Sequence, residues 1–376
     1  VSSGSFTLNG GTITDNESDY GGGVYVRTTG ALLTINDGAI SGNRSVASIF
    51  GGGALYIFQG QAVQNGGEIS GNTAVNFGGA IEVRMGSFQM NGGTISGNSA
   101  GNWGGAIYND QGFITITNGT LAGNSSVLRG GAIATGGSSS NLNSRSDLYR
   151  NSTITQTGGA ILNTGTLTLT NVTLSNNQAS SGGGLQNQGT ATLTNVTVYE
   201  NTAAANGGGL NGSSGTLNVV NSILAGNSAA SGPDCAGTIV SQGYNLIQND
   251  NCTNSGSTIG HIGGDPLLAA LALNGGSTLN HAIDSSSPAL DAGDNPTCAG
   301  TDQRGVARPI DGNEDTTATC DIGAFDLGSS LTIDDVTITE GNSGSKIATF
   351  TVTLAPASPA PVTVNSATAN GTAVIA

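Results

Sequence analysis

Thr94-Ile95-Ser96-Gly97-Asn98-Ser99-Ala100-Gly101-Asn102-Trp103-Gly104-Gly105-Ala106-Ile107 is the stretch whose reading decides the fold. Its second half is a glycine pair, a small residue and an aliphatic residue. The same signature stands at Gly21-Gly22-Gly23-Val24, Gly52-Gly53-Ala54-Leu55, Gly78-Gly79-Ala80-Ile81, Gly130-Gly131-Ala132-Ile133, Gly158-Gly159-Ala160-Ile161, Gly182-Gly183-Gly184-Leu185 and Gly207-Gly208-Gly209-Leu210. Its first half, an apolar residue three positions before Asn, recurs at Asn16, Asn43, Asn72, Asn98, Asn124, Asn151, Asn177, Asn201 and Asn227. Self-similarity at a near-constant period signals a stack of like supersecondary units.

A third element completes the unit. Phe6-Thr7-Leu8, Leu33-Thr34-Ile35, Phe88-Gln89-Met90, Ile114-Thr115-Ile116 and Leu167-Thr168-Leu169 alternate with period two, as a strand with one buried face does. No window carries helical apolar spacing over a useful length. The expected fold is all-β: a right-handed parallel β-helix of about nine coils over residues 1–230. Equivalent residues then stack roughly 4.8 Å apart, and the aliphatics form ladders inside. The glycines supply positive φ. The Asn residues, which tolerate the left-handed conformation, form a structural ladder at one corner.

Composition narrows the partners. Of 376 residues, 63 are Gly and only 9% are charged, yet the aliphatics recur in register, which argues for a folded array over disorder. The net charge is −15, with −3 on residues 1–230 and −12 on 231–376. A chain with no basic footprint is not expected to bind nucleic acid or an anionic membrane surface. No apolar run is long enough for a spanning helix, so no membrane insertion is expected. The chain starts at Val1 inside a strand-like segment, which reads as a processed or truncated beginning.

All four cysteines, Cys235, Cys252, Cys298 and Cys320, follow the repeats. An even count without His at metal-ligand spacing favours two disulfides and an oxidising, extracellular setting. Sequence proximity favours Cys235–Cys252 and Cys298–Cys320, with three connectivities open. The expected divisions are 1–230 for the repeats, 231–328 for a disulfide-bearing C-terminal cap and 329–376 for a partial β-sandwich segment.

Three resemblances accompany these readings. The GGAI and IxGN units resemble repeats of bacterial surface β-helix proteins, including the polymorphic outer-membrane proteins. Gly243-Tyr244-Asn245-Leu246-Ile247, Asp265-Pro266-Leu267-Leu268, Ser287-Pro288-Ala289-Leu290-Asp291-Ala292-Gly293, Asp302-Gln303-Arg304-Gly305, Arg308-Pro309 and Cys320-Asp321-Ile322-Gly323-Ala324-Phe325 resemble the choice-of-anchor Q domain. That resemblance implies a protein held on a cell surface. Val336-Thr337-Ile338-Thr339-Glu340-Gly341 and Ala348-Thr349-Phe350-Thr351-Val352-Thr353-Leu354 are similar to the start of a Calx-beta module, an immunoglobulin-like sandwich cut short here or completed by another chain.

Chemistry is sparse. A β-helix lyase or hydrolase needs clustered or paired carboxylates with a basic residue near them. Arg27 and Arg84 share a rung column with Phe58 between them, but Glu82 is read as facing the opposite way from Arg84, and Glu68 and Glu200 as isolated. No His precedes His261, so no Ser–His–Asp triad is expected within the coils; His261 and His281 read as packing residues. Asp311, Asn313 and Asp315 place oxygen ligands at alternate positions, which makes Ca²⁺ the candidate ion there, with Asp334, Asp335 and Glu340 as weaker candidates. No cofactor is required.

The expected function is an extracellular structural or adhesive rod, not an enzyme. Its expected partners are copies of itself, through the rod ends or C-terminal strands in a head-to-tail fibre, or a cell-surface ligand. The alternatives are a carbohydrate-active β-helix, and a passive glycan-binding rod that exposes Tyr25, Tyr56 and Tyr108 on one rung position, where the three rings equally fit a packed stack.

Overall fold

The computed structural model describes residues 1–136, 139–249, 252–313, 315–328, 330–334, 336 and 347–355. It separates into a large unit, Val1–Leu327, and a small one, Gly328–Ala376. The large unit is a parallel β-solenoid of about nine turns. Each coil contributes to three faces, seen in the middle of the stack. Ser87–Met90 and Thr94–Ser96 form the alternating face, Ser99–Ala100 the serine face, and Ile107–Asn109 the glycine face. Every strand pairs in parallel with its equivalent one coil away. Phe88 faces Ala62 on one side and Ile114 on the other, and Ile107 lies between Ile81 and Ile133.

The inward residues of the three faces make one continuous core. Leu33, Phe88, Ile114, Leu167 and Leu193 enter it from the alternating face, and Leu55, Ile81, Ile107, Ile133 and Ile161 from the glycine face. A single coil has too few apolar side chains to bury a core, so stability comes from the stack.

The glycine pair has two separate causes. Gly78 has φ 61°, where a side chain is strained, and a Cβ on Gly79 would lie 2.1 Å from the Gly105 carbonyl oxygen of the next coil. The Asn corner differs from expectation. None of the nine ladder asparagines is left-handed. The residue before each of them is: Asp15, Gly42, Gly71, Gly97, Gly123, Arg150, Asn176, Glu200 and Gly226 all have φ between 48° and 66°. The bend belongs to that preceding residue, which frees the Asn side chain to bond along the stack.

The region expected to cap the helix does two things. Its first part extends the solenoid: Cys235–Gly243 pairs with Leu210–Gly212 and Thr216–Val220, Leu246–Ile247 pairs with Ile223–Ala225, and Thr253–Asn254 pairs with Cys235–Gly243. The rest, from about Asp265 to Leu327, doubles back along the alternating face and forms a flank. Residues on both sides of position 230 belong to the one compact unit Val1–Leu327. Ile283, Ala289, Ile322 and Phe325 pack on Ile223, Ala225 and Leu246 in a second small core. The flank reaches as far back as Asn118, whose Oδ1 accepts Ser277 Oγ at 2.9 Å. The disulfides are Cys235–Cys252 in the extension and Cys298–Cys320 in the flank.

In the small unit, Ser330–Ile333 pairs antiparallel with Val352–Ala355. Most of the Calx-beta-like motif, including Asp335 and Glu340, lies outside the described residues. Among the described residues the only helical element is a single 3₁₀ turn, Asn295–Thr297, and no helix is long and apolar enough to cross a membrane.

Candidate functional site

The asparagine column is a directional chain of amides. Asn98 Nδ2 donates to Asn124 Oδ1 at 2.9 Å and to the Ile69 carbonyl at 3.0 Å, while Asn98 Oδ1 accepts Asn72 N at 2.9 Å and Asn72 Nδ2 at 3.0 Å. The same pattern runs from Asn16 to Asn227, with every member from Asn43 onward buried. It ends on Asp234, a residue the sequence reading passed over. Asn227 N and Nδ2 both donate to Asp234 Oδ1, and Asn249 N and Nδ2 donate to Asp234 Oδ2. These groups have no spare bonding capacity, so the column is structural.

A second, shorter polar ladder was also missed. Thr135 Oγ1 donates to Asn163 Oδ1 at 3.1 Å, and Asn163 Nδ2 donates to Asn187 Oδ1 at 2.8 Å, inside the turn after the glycine face. The signal for it was the recurring polar residue two places after the aliphatic of the glycine motif.

The most differentiated surface is the outside of the glycine face in the N-terminal coils. Tyr25, Tyr56, Glu82 and Tyr108 form one outward column, and Arg27, Phe58, Arg84 and Asp110 the next. Phe77 and Trp103, each just before a glycine pair, lean over them. Phe77 lies 4.8 Å and Trp103 5.6 Å from Tyr108, ring centre to ring centre. Tyr20, Tyr25 and Tyr56 stack together, with Tyr25 and Tyr56 5.2 Å apart. Of the three tyrosines expected to be exposed, Tyr56 and Tyr108 are only 2% and 6% exposed. Of the two readings, the packed one describes these two rings, and Tyr20 is the ring that faces solvent.

Glu82 needs a correction. Residues two apart on a strand share a face, so Glu82 and Arg84 both point outward. Glu82 is fully buried, and its Oε2 accepts Gly51 N at 2.6 Å. Burial raises its carboxyl to about 8, Asp110 adds to the rise, and Gly51 and Arg84 oppose it. Arg84 stacks 3.6 Å from the Phe50 ring centre and pairs with Asp110 at 3.4 Å. Both charged residues thus hold the segment that ends in Phe50-Gly51.

The flank carries the densest polar network. Gln303 Oε1 accepts Thr173 Oγ1 at 2.6 Å, and its Nε2 donates to the Ser146 and Leu279 carbonyls. Arg304 pairs with Asp302 at 2.7 Å and stacks 3.8 Å from the Phe325 ring centre, and Arg308 donates to the Asp321 and Gly323 carbonyls. Burial first, and Asp326 second, raises Asp321 to about 8. His281 folds back onto the coils: its Nδ1 lies 2.7 Å from the Ala269 carbonyl, so its Nε2 is the acceptor for Ser175 Oγ at 2.9 Å. The flank's His281 thus hydrogen-bonds a serine of the coils, and both residues are buried. Burial lowers the imidazole from its usual range.

Asp311, Asn313 and Asp315 do share one turn. Their side-chain oxygens accept backbone N–H groups: Asp311 Oδ1 and Asn313 Oδ1 both accept Asp315 N, and Asp315 Oδ1 accepts Thr317 N. Among the described residues, no three His, Cys, Asp or Glu side chains are placed to hold a metal ion. Asp334 Oδ1 accepts Thr351 N within the small unit. Glu68 accepts Ser96 Oγ, and Glu200 accepts Asn176 Nδ2, both at the surface.

Comparison with known proteins agrees with the stack. The Chlamydia polymorphic membrane protein (Chlamydia_PMP) repeat matches residues 92–110. No curated protein and no solved structure matches the chain. The matched segment runs from Gly92 through the Asn98 corner to Asp110, most of one coil, and with the parallel stack it makes the chain a β-helix repeat protein.

Proposed function

We propose that this chain is an extracellular surface protein in which the solenoid serves as a stiff, adhesive spacer, and that it is not an enzyme. The observation that carries the reading is where the patterned residues go. Each repeat position is taken up by the core, the glycine contacts or the amide ladder, which leaves variation to the outer faces. The repeat match points to a family of membrane proteins, and two disulfides suit an oxidising exterior. We read residues 231–328 as choice-of-anchor Q-like and 329–376 as the start of a Calx-beta-like module, both of which fit surface attachment. The polar groups with catalytic chemistry, Ser175 with His281 and Asp321 with Asp326, are buried, which favours a fastening role.

The test has two arms. Protease shaving of intact producing cells, followed by peptide mapping, should release peptides of this chain. Beads coated with the purified chain should adhere to cells above a blocked-bead control. Turnover of a polysaccharide in a broad depolymerisation screen would overturn the non-enzymatic part.

A further inference from the structure

The first glycine step is the longest: 31 residues separate Gly21 from Gly52, against 26 from Gly52 to Gly78. Part of the surplus lies in the loop Val46-Ala47-Ser48-Ile49-Phe50. With Asp19 and Tyr20 this loop bounds an open hollow of about 370 Å³, at the lower end of the ~300–1,000 Å³ typical of ligand pockets.

The loop is held at four points. Val46 N donates to the Ser18 carbonyl at 3.1 Å, and Asn76 Nδ2 donates to the Ser48 carbonyl at 2.5 Å. Gly51 N donates to the buried Glu82 carboxylate, and Phe50 lies under Arg84. Of the charged residues in the outward columns of the glycine face, Glu82 and Arg84 reach this loop. Anchoring leaves two large side chains in water: Ile49 is 61% exposed and Tyr20 47%. Tyr20 packs on both Tyr25 and Tyr56, ring centres 5.8 and 5.6 Å away, so the plane of its ring is set from behind. A rigid aromatic wall costs little ordering entropy on binding.

We propose that this hollow is a subsite for a neutral oligosaccharide. The Tyr20 ring offers its face to the C–H side of a sugar, Ile49 and Phe50 exclude water, and the Asp19 carboxylate accepts from a pair of adjacent hydroxyls. Among the described residues, Asp19 is the only charged one lining the hollow, on a chain of net charge −15, so the charge disfavours uronates and other anionic sugars. Arg84 does not offset this, because it is already paired with Asp110 and stacked on Phe50.

The proposal names the ligand class behind the adhesive reading and rests on it. The experiment titrates the full chain with short neutral gluco-, manno- and galacto-oligosaccharides, followed by calorimetry. A parallel arm uses oligouronates, and another an apolar peptide. At least one neutral series should bind, with Tyr20→Ala and Asp19→Asn each weakening it about tenfold or more. Asp19 is exposed, so Asp19→Asn should unfold as the parent does, while Tyr20→Ala, which takes a ring off Tyr25 and Tyr56, should lower the unfolding midpoint without abolishing the cooperative transition. No neutral sugar binding at millimolar concentration, equal binding by both variants, or preference for the uronates or the peptide would each overturn the subsite. Bead adhesion separates the two readings. Adhesion undiminished in Tyr20→Ala sinks the subsite and leaves the adhesive reading standing. Oligosaccharide binding without bead adhesion does the reverse.

Discussion

Asn227 donates both its backbone N–H, at 3.1 Å, and its side-chain amide, at 2.9 Å, to one oxygen of Asp234. Each ladder Asn passes a donor toward the C-terminal end, so the last one needs a partner that only accepts. A carboxylate is such a group, and its second oxygen takes both donors of Asn249 at 2.8 and 3.1 Å. Asp234→Asn keeps the size but turns one oxygen into an amine facing two donors. It should destabilise the C-terminal coils by roughly 2–3 kcal/mol, since these bonds are charge-assisted and buried. Denaturant unfolding measures the loss, and hydrogen exchange should speed up first near residues 245–249.

The coils were legible because a repeat averages away local ambiguity. Ile95 or Gly104 alone says little, but each stands in a column, and the column has one physical cause. Asp234 was illegible because it occurs once, seven residues past Asn227, where the period has ended. The aromatic patch was half legible. The column of Tyr25, Tyr56 and Tyr108 could be aligned, but the rings that pack on it come from outside the strand pattern: Tyr20 on Tyr25 and Tyr56, Phe77 and Trp103 on Tyr108. The course of the flank was illegible for a related reason. The contacts of Gln303 with Thr173 and Ser146 span 130 and 157 residues, and no periodicity encodes them.

Position in the stack should decide what an asparagine is worth. Asn98→Ala removes a buried amide and leaves Asn72 N, the Ile69 carbonyl and Asn124 Oδ1 short of partners, a loss on the order of 3 kcal/mol or more. Asn91 sits in an outer ladder, its Nδ2 donating to Asn65 Oδ1 at 2.9 Å in an exposed setting. Water replaces that bond, so Asn91→Ala should cost under about 1 kcal/mol. Equal losses in parallel denaturant titrations would refute the distinction.

Glu82 sets a pH dependence. Its folded carboxyl is raised to about 8, above the unfolded value of about 4.3. The folded state therefore binds more protons than the unfolded state between these limits. The stability this group contributes is full below about pH 4.3 and is lost as pH rises through 8. Glu82→Gln still offers an oxygen to Gly51 N without the buried charge. It should match the parent near pH 5 and exceed it near pH 9 in thermal unfolding. A variant that loses stability equally at both pH values would show that the carboxylate is needed in its ionised form.

Gln303 is the pin between flank and coils. Its side chain meets Thr173, Ser146, Thr278 and Leu279 through buried bonds. Gln303→Ala leaves those groups unpaired and should loosen the flank while the N-terminal coils keep their order. Limited proteolysis should then cut within residues 265–320 faster than in the parent, with the fragment covering the coils surviving. Cleavage scattered through the coils would mean that the flank and the stack unfold as one.

The residue before each ladder Asn provides the cleanest test of backbone cost. Gly97 has φ 61°, and a Cβ there would meet nothing closer than 4.0 Å, so Gly97→Ala probes conformation without crowding. A non-glycine in that region costs about 1–2 kcal/mol, less the ~0.5–1 kcal/mol of chain entropy that glycine loses on folding. The net loss should be up to about 1.5 kcal/mol. Arg150 occupies the equivalent place at φ 53° and already bears this strain. Arg150→Gly should accordingly gain what Gly97→Ala loses. Denaturation midpoints that move in opposite directions, by similar amounts, would establish that the corner is set by backbone conformation; a destabilised Arg150→Gly would instead assign the Arg150 side chain a packing role.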